Sequence, residues 1–529
     1  MSDEAGITVA REPVLLGVLR ERAEGERRVA LVPGGVLELK KLGFDVIVEA
    51  SAGVASGYED EVYVEAGARI GSAAEVRASQ VVVKVRAPTD DVEGGYRDGA
   101  TLPFEAGSLL ISLLSPADNK ELIEGLAKAD VDAIALERIP RISRAQKMDV
   151  LSSMGNIAGY RAVLEAAVTY EGFFGASVTA AGTIPPAKVL IIGAGVAGLQ
   201  AIAAARALGA EVRAFDVRPD CAEQVESLGA KFLMLDFDES GEGEGGYAKI
   251  MSKEFIDAEM ALFAEQAEEV DIVITTALIP GRKAPVLITT PMVESMKKGS
   301  VVVDLAARSG GNCELTKTNE AYVHGGVHIL GYLNLPSRMA HTASRFFSGN
   351  IVHLLKDMVG DEGFAIDLED EVVRGALQTH GGKVLEPPPR RAPPPKPEAQ
   401  TPVHVPKKKA KKESGAGSLA GGAIMLGVFA LVGLFAPASF VPHFGVFVLA
   451  CFIGWQVVWS VSASLHTPLM SVTNAISGII LVGGMLQAGS GESNLPTILG
   501  ALALFFASIN VFGGFTVTAR MLKMFQRGS

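Results

Sequence analysis

The chain has 529 residues, more than one ordinary domain holds, so two or more domains are expected. Its formal net charge is −12, and the acidic residues lie almost wholly before residue 414, which argues against nucleic-acid binding by that part of the chain. The 3 cysteines lack CxxC spacing and form neither a zinc nor a disulfide pattern, so no metal site is predicted.

The first part of the chain alternates short β-rich runs with helical stretches. Buried strands are predicted over residues 14–19, 46–49, 81–85, 109–113 and 133–136. Helices are predicted between them, for example over 33–42 and 119–128. This alternation is typical of βαβ units around a parallel sheet. Residues 1–150 are therefore predicted to form a first doubly wound domain.

A second series of strands follows and predicts a second domain over residues 151–334. Its strands are predicted over residues 188–192, 211–215, 271–275, 301–304 and 328–330. A long helical stretch at 146–170 bridges the two series, and a helix at 343–359 is expected to cross back, so that residues of about 335–385 complete the first domain. The fold class predicted is thus α/β, with two Rossmann-like doubly wound domains and a cleft between them.

The chain changes physical class near residue 386. Residues 386–417 form a Pro-rich and Lys-rich linker, and residues 418–529 are almost wholly apolar. Four transmembrane helices are predicted, over 419–435, 441–461, 468–486 and 495–515, each near the roughly 20 residues that cross a bilayer. Basic residues flank both ends of this tail, which places both ends in the cytoplasm. The acidic N-terminus has no apolar run, so no cleavable signal peptide is predicted.

A dinucleotide fingerprint lies at the first strand of the second series. Residues 188–198 read KVLIIGAGVAG, in which a strand runs directly into Gly193, Gly195 and Gly198. These glycines permit a tight turn, close approach of backbone to a pyrophosphate, and close packing of strand and helix. Asp216 ends the next strand, where a carboxylate accepts hydrogen bonds from the ribose and repels a 2′-phosphate. NAD(H) is therefore favoured over NADP(H), although Arg218 lies two residues on.

The same residues carry a family likeness. Residues 191–216, IIGAGVAGLQAIAAARALGAEVRAFD, resemble the nucleotide signature shared by alanine dehydrogenases and proton-translocating nicotinamide nucleotide transhydrogenases. Residues 19–33, which include ERRVALVP, resemble their common N-terminal signature. Three further segments are closer to the transhydrogenases: RISRAQKMDVLSSMGNIAGY at 141–160, TTALIPG at 275–281 and SLHTPLMSVTNAISGII at 464–480. The chain is identified as a member of the transhydrogenase family.

The resemblance implies direct hydride transfer between NADH and NADP⁺, coupled to inward proton movement. In the family, NAD(H) binds the soluble domain, whereas NADP(H) binds a third domain that belongs to a β subunit in two-subunit members. The sequence agrees with a second nucleotide site on another subunit, since it contains one well-supported dinucleotide fingerprint. The resemblance therefore implies an enzyme active only with a partner β subunit, in an α2β2 assembly. We expect it in the cell inner membrane, with the nucleotide domain in the cytoplasm.

The resemblance also assigns residues to the two ends of the nucleotide. It implies that four residues surround the nicotinamide: Arg141, Gln146, Asp149 and Ser152. The alternative is that these four form a helix cap with salt bridges and have no contact with a ligand. Further NAD contacts are implied at Val196, Asp216, Val217, Arg218, Gly246 and Leu278, with Tyr247 closing over the nucleotide from an exposed loop at 238–247. A Gln that contacts NAD in some relatives corresponds to Glu259 here, so that position is left out.

Two polar residues of the third predicted span are candidates for a proton path. His466 lies at its start and Asn474 follows within it. A histidine at such a position suggests proton relay, and its family counterpart is implicated in proton conduction. Interhelical hydrogen bonding is the alternative for Asn474.

Two other functions stay open. A membrane-anchored enzyme of the alanine dehydrogenase type needs a lysine and a histidine, which correspond to Arg86 and Leu114 here, and leucine performs no acid–base chemistry. An NAD-sensing regulatory subunit of a transporter would explain why a nucleotide domain is linked to a membrane domain. It would give the polar residues between 141 and 152 no function.

Overall fold

The computed structural model describes residues 13–91, 102–235, 251–278, 283–360, 363–386, 437, 439–460, 478–489 and 495–525. The chain divides into two compact units, Met1–Arg391 and Ala392–Ser529.

The strands of the described residues all belong to the first unit. They are β1 Val14–Val18, β2 Phe44–Glu49, β3 Arg69–Gly71, β4 Val81–Arg86, β5 Leu109–Leu113, β6 Asp132–Ala135, β7 Ser177–Thr179, β8 Gly182–Ile184, β9 Lys188–Ile192, β10 Glu211–Phe215, β11 Lys231–Phe232, β12 Ile272–Thr275, β13 Val301–Asp304, β14 Ala321–His324, β15 Val327–Leu330, β16 Val359–Gly360, β17 Gly363–Phe364, β18 Leu377–His380 and β19 Lys383–Val384.

The helices occur in both units. They are α1 Pro33–Lys41, α2 Asp60–Glu65, α3 Ala73–Arg77, α4 Lys120–Lys128, α5 Val150–Thr169, α6 Val196–Ala207, α7 Cys221–Ser227, α8 Lys253–Glu269, α9 Thr290–Ser295, α10 Ala340–Asp357, α11 Glu371–Ala376, α12 Phe440–Ser460, α13 Gly478–Ala488 and α14 Leu495–Phe525.

The first sheet has the strand order β19-β18-β6-β5-β4-β1-β2-β3. Its strands from β3 to β6 are parallel. The central ones are covered on both faces, which explains runs such as Val81, Val82 and Val83 that are wholly buried. The prediction of a parallel sheet is confirmed there and is wrong at one edge, where β18 and β19 pair antiparallel. His380 Nδ1 lies 2.9 Å from Asp132 Oδ2, joining residues 248 apart in sequence. The edge strand thus comes from the far end of the unit.

The second sheet has the strand order β11-β10-β9-β12-β13-β15-β14. All its pairings are parallel except that of β14 with β15, the antiparallel edge that alternation did not predict. In both sheets the first strand lies between the second and the fourth of its series. This is the doubly wound order, in which the strand order reverses beside the first strand and leaves a crevice at the strand ends.

Two long helices connect the sheets. α5 begins at its N-cap Asp149, and α10 packs against both α1 and α5. Two serines of α10 accept hydrogen bonds from the loop after β1: Ser344 Oγ from Val29 N at 3.0 Å and Ser348 Oγ from Val32 N at 3.2 Å. α10 therefore returns to the first sheet after the second is complete. The domain limits given from the sequence stay predictions.

The second unit contains helices α12, α13 and α14. Among the residues that the structure describes, one helix is long and apolar enough to cross a membrane, over Leu495–Gly513. It lies in α14, which continues to Phe525, beyond the predicted end of the fourth span. α12 lies where the second span was predicted, and α13 overlaps the end of the third and continues two residues beyond it. Residues 468–477 of the third predicted span are outside the described residues. The first predicted span, at 419–435, and most of the linker lie outside the described residues.

Candidate nucleotide site

The turn after β9 can be built only with glycine at two positions. Gly193 has φ +100°, a left-handed conformation that disfavours other residues, and its N–H donates to Phe215 O at 2.8 Å. A Cβ on Gly198 would lie 1.7 Å from Gly193 O, so α6 could not approach the end of β9 if a side chain were present. The predicted roles of these two glycines in the tight turn and in helix packing agree with this geometry.

The middle glycine of the motif has no such constraint from the protein. Gly195 is the N-cap of the 12-residue helix α6, and a Cβ built on it would meet nothing within 4 Å. Val196, the first residue of α6, is half-exposed. The first turn of a helix presents unpaired N–H groups and the positive end of its dipole. The open space beside Gly195 is therefore suited to an anionic group such as a pyrophosphate.

An acid lies at one side of this space, as the spacing predicts. Asp216 follows β10, its side chain is nearly buried, and its Oδ2 accepts a hydrogen bond from Ala194 N at 2.8 Å. Arg218 pairs with the same carboxylate, with its Nε 2.8 Å from Oδ1 and its Nη2 2.8 Å from Oδ2. The structure thus brings Asp216, Arg218 and the glycine turn together.

A second acid lies behind the first and was left out of the predicted site. Glu259 is buried on α8, one turn before Phe263, whose ring meets Phe215 edge-on at 5.2 Å between centroids. Burial, and after it the Asp216 charge, raises the pKa of the Glu259 carboxyl to about 7. The signal available in the sequence was the four-residue spacing of Glu259 and Phe263, which puts both on one face of α8.

The loop after β12 closes another side of the site. Thr276 Oγ1 donates to Gly193 O at 3.2 Å, and Leu278 is half-exposed two residues later. The side chain of Asn312, wholly buried, holds this loop, because its Nδ2 donates to Ala277 O at 2.9 Å and its Oδ1 accepts from Ala277 N at 3.1 Å. Asn312 lies 35 residues away from Ala277, and no pattern in the sequence indicated it.

The four residues predicted at the nicotinamide cluster at the start of α5. Asp149 caps the helix, accepting from Ser152 N at 2.9 Å and from Ser152 Oγ at 2.6 Å. Arg141 Nε lies 3.9 Å from Asp149 Oδ2, and Gln146 is exposed on the preceding turn, Ser143–Met148. These contacts are those of a helix cap with an ion pair, so a role toward a nicotinamide stays a prediction.

The packing of α5 on α6 relates this cluster to the glycine turn. A Cβ on Gly159 would lie 2.0 Å from Ala197 O in the first turn of α6, and Asn156 Nδ2 donates to Gln200 Oε1 at 3.0 Å. Gly159 is nine residues from the start of α5, about 14 Å along the helix at 1.5 Å per residue. Asp149, one residue earlier, therefore lies about 15 Å along the axis of α5 from its crossing with α6.

The corresponding edge of the first sheet holds buried ion pairs. Lys84 Nζ lies 3.8 Å from Glu21 Oε2, and Arg28 Nη2 lies 2.6 Å from Glu26 Oε2, with all four side chains buried. Burial, partly offset by Lys84, raises the pKa of the Glu21 carboxyl to about 7. Burial also acts to raise the pKa of Glu26, but the Arg28 guanidinium outweighs it and lowers that pKa to about 2.

The two positions that an alanine dehydrogenase would use are occupied differently. Arg86 Nε lies 3.2 Å from Glu26 Oε2, so this residue is part of the ion-pair cluster. Leu114 is wholly buried in an apolar cluster on the other face of the first sheet. The structure places no acid–base side chain at position 114.

Four of the predicted site residues lie outside the described part of the chain. They are Gly246, Tyr247, His466 and Asn474.

Three protein-family models match the sequence. Residues 17–158 match "Alanine dehydrogenase/PNT, N-terminal domain", and residues 162–387 match "Alanine dehydrogenase/PNT, C-terminal domain". Residues 443–527 match the "4TM region of pyridine nucleotide transhydrogenase". The matches cover both doubly wound domains and a membrane region of four helices, which confirms the predicted fold class.

Individual relatives give the same pattern. The chain is 49% identical over 523 residues to NAD(P) transhydrogenase subunit alpha of Haemophilus influenzae, covering 97% of this chain and 100% of the relative. It is 30% identical to alanine dehydrogenase 1 of Staphylococcus aureus, over 70% of this chain and 94% of that protein. The crystal structure of transhydrogenase from Sinorhizobium meliloti superposes with a TM-score of 0.63 at 45% identity, covering 70% of this chain and 100% of that one.

Proposed function

Because the chain belongs to the family of NAD(P) transhydrogenase α subunits, we propose that it binds NAD(H) and exchanges hydride with NADP(H) held by a partner β subunit, in step with proton movement across a membrane. One observation carries the proposal: the turn of Gly193, Gly195 and Gly198 leaves open space at the start of α6, with Asp216 beside it.

The geometry of this turn supports a dinucleotide as ligand. The space at Gly195 and the first N–H groups of α6 would hold the pyrophosphate, and Asp216 would accept hydrogen bonds from the adenosine ribose. A 2′-phosphate would meet the charge of Asp216, with Glu259 behind it, which favours NAD(H). The remaining proposed contacts are Val196, Val217, Gly246, Tyr247 and Leu278, and Arg218 acts at the ribose through its pairing with Asp216.

At the other end of the nucleotide we assign orientation of the nicotinamide to the residues around the start of α5. NAD(H) supplies the hydride carrier, so the protein needs neither a nucleophile nor a metal for this step. Arg141, Gln146 and Ser152 offer donors and acceptors for a carboxamide, and Asp149 offers a charge near the ring that is positive when oxidised. Arg141 and Gln146 are exposed, which leaves them accessible to a ligand and to a partner domain.

The second nucleotide site is assigned to a partner because the sequence has one dinucleotide fingerprint. We propose an α2β2 complex in the cell inner membrane, with the nucleotide domain in the cytoplasm and His466 and Asn474 on the proton path. One charge crossing 100 mV is worth about 2.3 kcal/mol, which shifts a near-balanced hydride equilibrium by roughly 50-fold. A proton gradient can therefore set the direction of the exchange.

The test is reconstitution of the full chain with a β subunit in proteoliposomes. Reduction of an NAD analogue by NADPH is expected to move protons away from the membrane face that carries the nucleotide domain. The chain alone is expected to show no hydride exchange. Binding of both nucleotides without hydride exchange would contradict the proposal. His466→Ala is expected to reduce proton movement while leaving the NADH Kd unchanged, and equal loss of both would remove His466 from the proton path.

A further inference from the structure

The carboxylate of Asp216 is fully engaged by donors from the chain itself. Its Oδ1 accepts from Arg218 N at 3.0 Å and from Arg218 Nε at 2.8 Å. Its Oδ2 accepts from Arg218 Nη2 and from Ala194 N, each at 2.8 Å. A carboxylate offers about four lone-pair positions, so the four donors use all of them.

The four donors differ in whether they can leave. The backbone N–H groups of Ala194 and Arg218 are fixed by the path of the chain through the glycine turn and past the end of β10. Ala194 N donates to Oδ2 and Arg218 N donates to Oδ1. The other two donors, Nε and Nη2, belong to one guanidinium, and again one contacts each oxygen. Its side chain is 19% exposed, so the guanidinium borders solvent.

A ribose needs the same two acceptor positions. Its vicinal hydroxyls are two neighbouring donors, and so are the Nε and Nη2 groups of a guanidinium fork. Since the backbone donors stay in place, a ribose can bond to Asp216 only where the Arg218 side chain has withdrawn. The exchange replaces one pair of hydrogen bonds with another on the same two oxygens.

The neighbourhood explains why an empty site needs this counter-ion. The Asp216 side chain is only 6% exposed, and the buried Glu259 lies within reach of its charge. A buried carboxylate without a partner is strongly destabilising. Arg218 removes that penalty as long as no ligand is present.

We propose that Arg218 is a displaceable counter-ion that occupies the ribose position of Asp216 in the empty site and thereby speeds the release of NAD(H). The inference rests on the proposed function, because it assumes that a ribose binds at Asp216. Arg218 acts here through Asp216 and is a positioning residue. The observed affinity for NADH is the intrinsic affinity multiplied by the fraction of protein in which the Arg218 side chain has withdrawn from Asp216. Return of its guanidinium to Asp216 favours departure of the nucleotide.

The decisive variant is Arg218→Leu in the full chain, purified in detergent. NADH binding is measured by the fluorescence of the nucleotide itself, and its release by stopped-flow displacement with NAD⁺. The variant is expected to bind NADH on the order of tenfold more tightly, with the gain in a slower dissociation rate. A merely structural role would weaken binding, so unchanged or weaker affinity overturns the proposal.

Two further variants sharpen the result. Arg213→Leu is the matched control, since Arg213 lies on β10, the strand that leads to Asp216, and pairs with Glu211 and Glu269 away from the site. It is expected to leave the NADH Kd unchanged. Arg218→Lys retains the charge without the fork and is expected to give an intermediate Kd; a Kd equal to or weaker than that of the wild type would count against displacement. It also provides a measurement where Arg218→Leu does not fold.

A double variant tests whether the effect passes through Asp216. In an Asp216→Asn background, Arg218→Leu is expected to give no gain in affinity, and a gain that persists would contradict the mechanism. Absence of NADH binding by the wild-type chain would refute the proposed function itself. Wild-type binding with a weaker Arg218→Leu variant would refute only the role of Arg218.

Discussion

The two doubly wound sheets are built alike and differ in the loop after their first strand. β1 and β9 each lie between parallel neighbours, and an acid follows or ends the second strand: Glu49 on β2 and Asp216 after β10. Each acid accepts a backbone hydrogen bond from that loop, from Arg20 N at 2.9 Å and from Ala194 N at 2.8 Å. The first loop, however, contains charged side chains where the second contains glycines.

This difference decides which sheet edge can take a ligand. In the first domain the side chains of Glu21, Glu26 and Arg28 fill the strand ends with ion pairs. In the second, a side chain at Gly195 would meet nothing within 4 Å. A doubly wound sheet thus provides the same crevice twice, and an acid at the second strand is insufficient for a nucleotide site. Space at the turn is what distinguishes the two.

The largest effect on NADH binding is expected from filling the turn where the protein itself needs the space. In Gly198→Val the new side chain would collide with Gly193 O, so the turn must open and NADH binding is expected to weaken by more than about 100-fold. Fluorescence titration with NADH measures the loss. Gly34→Ala, in the first domain, is the control, since its Cβ would meet nothing within 4 Å. Retention of tight binding by Gly198→Val would show that the turn is not required.

The reverse experiment removes an ion pair from the first domain. Arg28→Leu leaves the buried Glu26 with less compensation, and loss of one partner of a buried pair costs roughly 3–5 kcal/mol of folding free energy. Urea titration of the full chain measures this, and the NADH Kd is expected to stay unchanged. Glu320→Gln, which removes an exposed pair with Lys317, is the control with almost no effect. A stability loss as small as the control's would show that this cluster is not structural.

Each domain also holds one buried carboxyl whose pKa is raised to about 7, Glu21 in the first and Glu259 in the second. Below pH 4.5, the ordinary pKa of a glutamate carboxyl, Glu259 is protonated in both the folded and the unfolded chain, so its contribution to stability is complete. Between 4.5 and about 7 the unfolded chain releases this proton first, so stability falls as the pH rises, by about 3 kcal/mol in total.

The glutamine side chains of Glu259→Gln and Glu21→Gln stay neutral at every pH. Each variant therefore loses the part of the pH dependence of stability that its carboxyl contributes. Each variant is expected to match the wild type near pH 4.5 and to exceed its stability at pH 8 by about 3 kcal/mol, measured by urea titration at both pH values. Excess NADH is expected to change the stability difference between Glu259→Gln and the wild type at pH 8, and to leave the corresponding difference for Glu21→Gln unchanged. The same response to NADH at both positions would erase the distinction between the domains.

The smallest effect is expected where only the ligand needs the space. Gly195→Ala meets no protein atom and Gly195 has φ −75°, so the fold is expected to be unchanged. A methyl group beside the pyrophosphate is expected to weaken NADH binding by about tenfold, or 1.4 kcal/mol. Equal affinity in the variant and the wild type would mean that no backbone approach occurs at Gly195.

Much of the fold follows from local pattern. The strands predicted at 109–113, 188–192 and 301–304 have the observed limits, because a strand buried on both faces requires a continuous apolar run. The strand at 211–215 also has its predicted limits, although Glu211 and Arg213 interrupt its apolar run. The glycine turn was equally predictable, since a positive φ at Gly193 and the contact at Gly198 demand one residue type. The position of Asp216 at the site was predictable from its distance of about 20 residues after the glycine motif.

Other features join residues that are far apart in sequence, and no local pattern encodes them. The antiparallel strand β18 meets β6 across 248 residues, and the side chain of Asn312 holds Ala277 across 35 residues. The burial of Glu259 depends on how α8 packs against Phe215, and the pairing of Arg218 with Asp216 depends on the rotamer that the crevice allows.

The sequence by itself determined the change from a charged to an apolar chain, the βαβ rhythm and the glycine turn, because hydropathy and backbone sterics act over a few residues. The tertiary structure alone decided which of two similar crevices stays open and which charges lie within it. Packing brings distant side chains together, and burial then changes the energy of their charges.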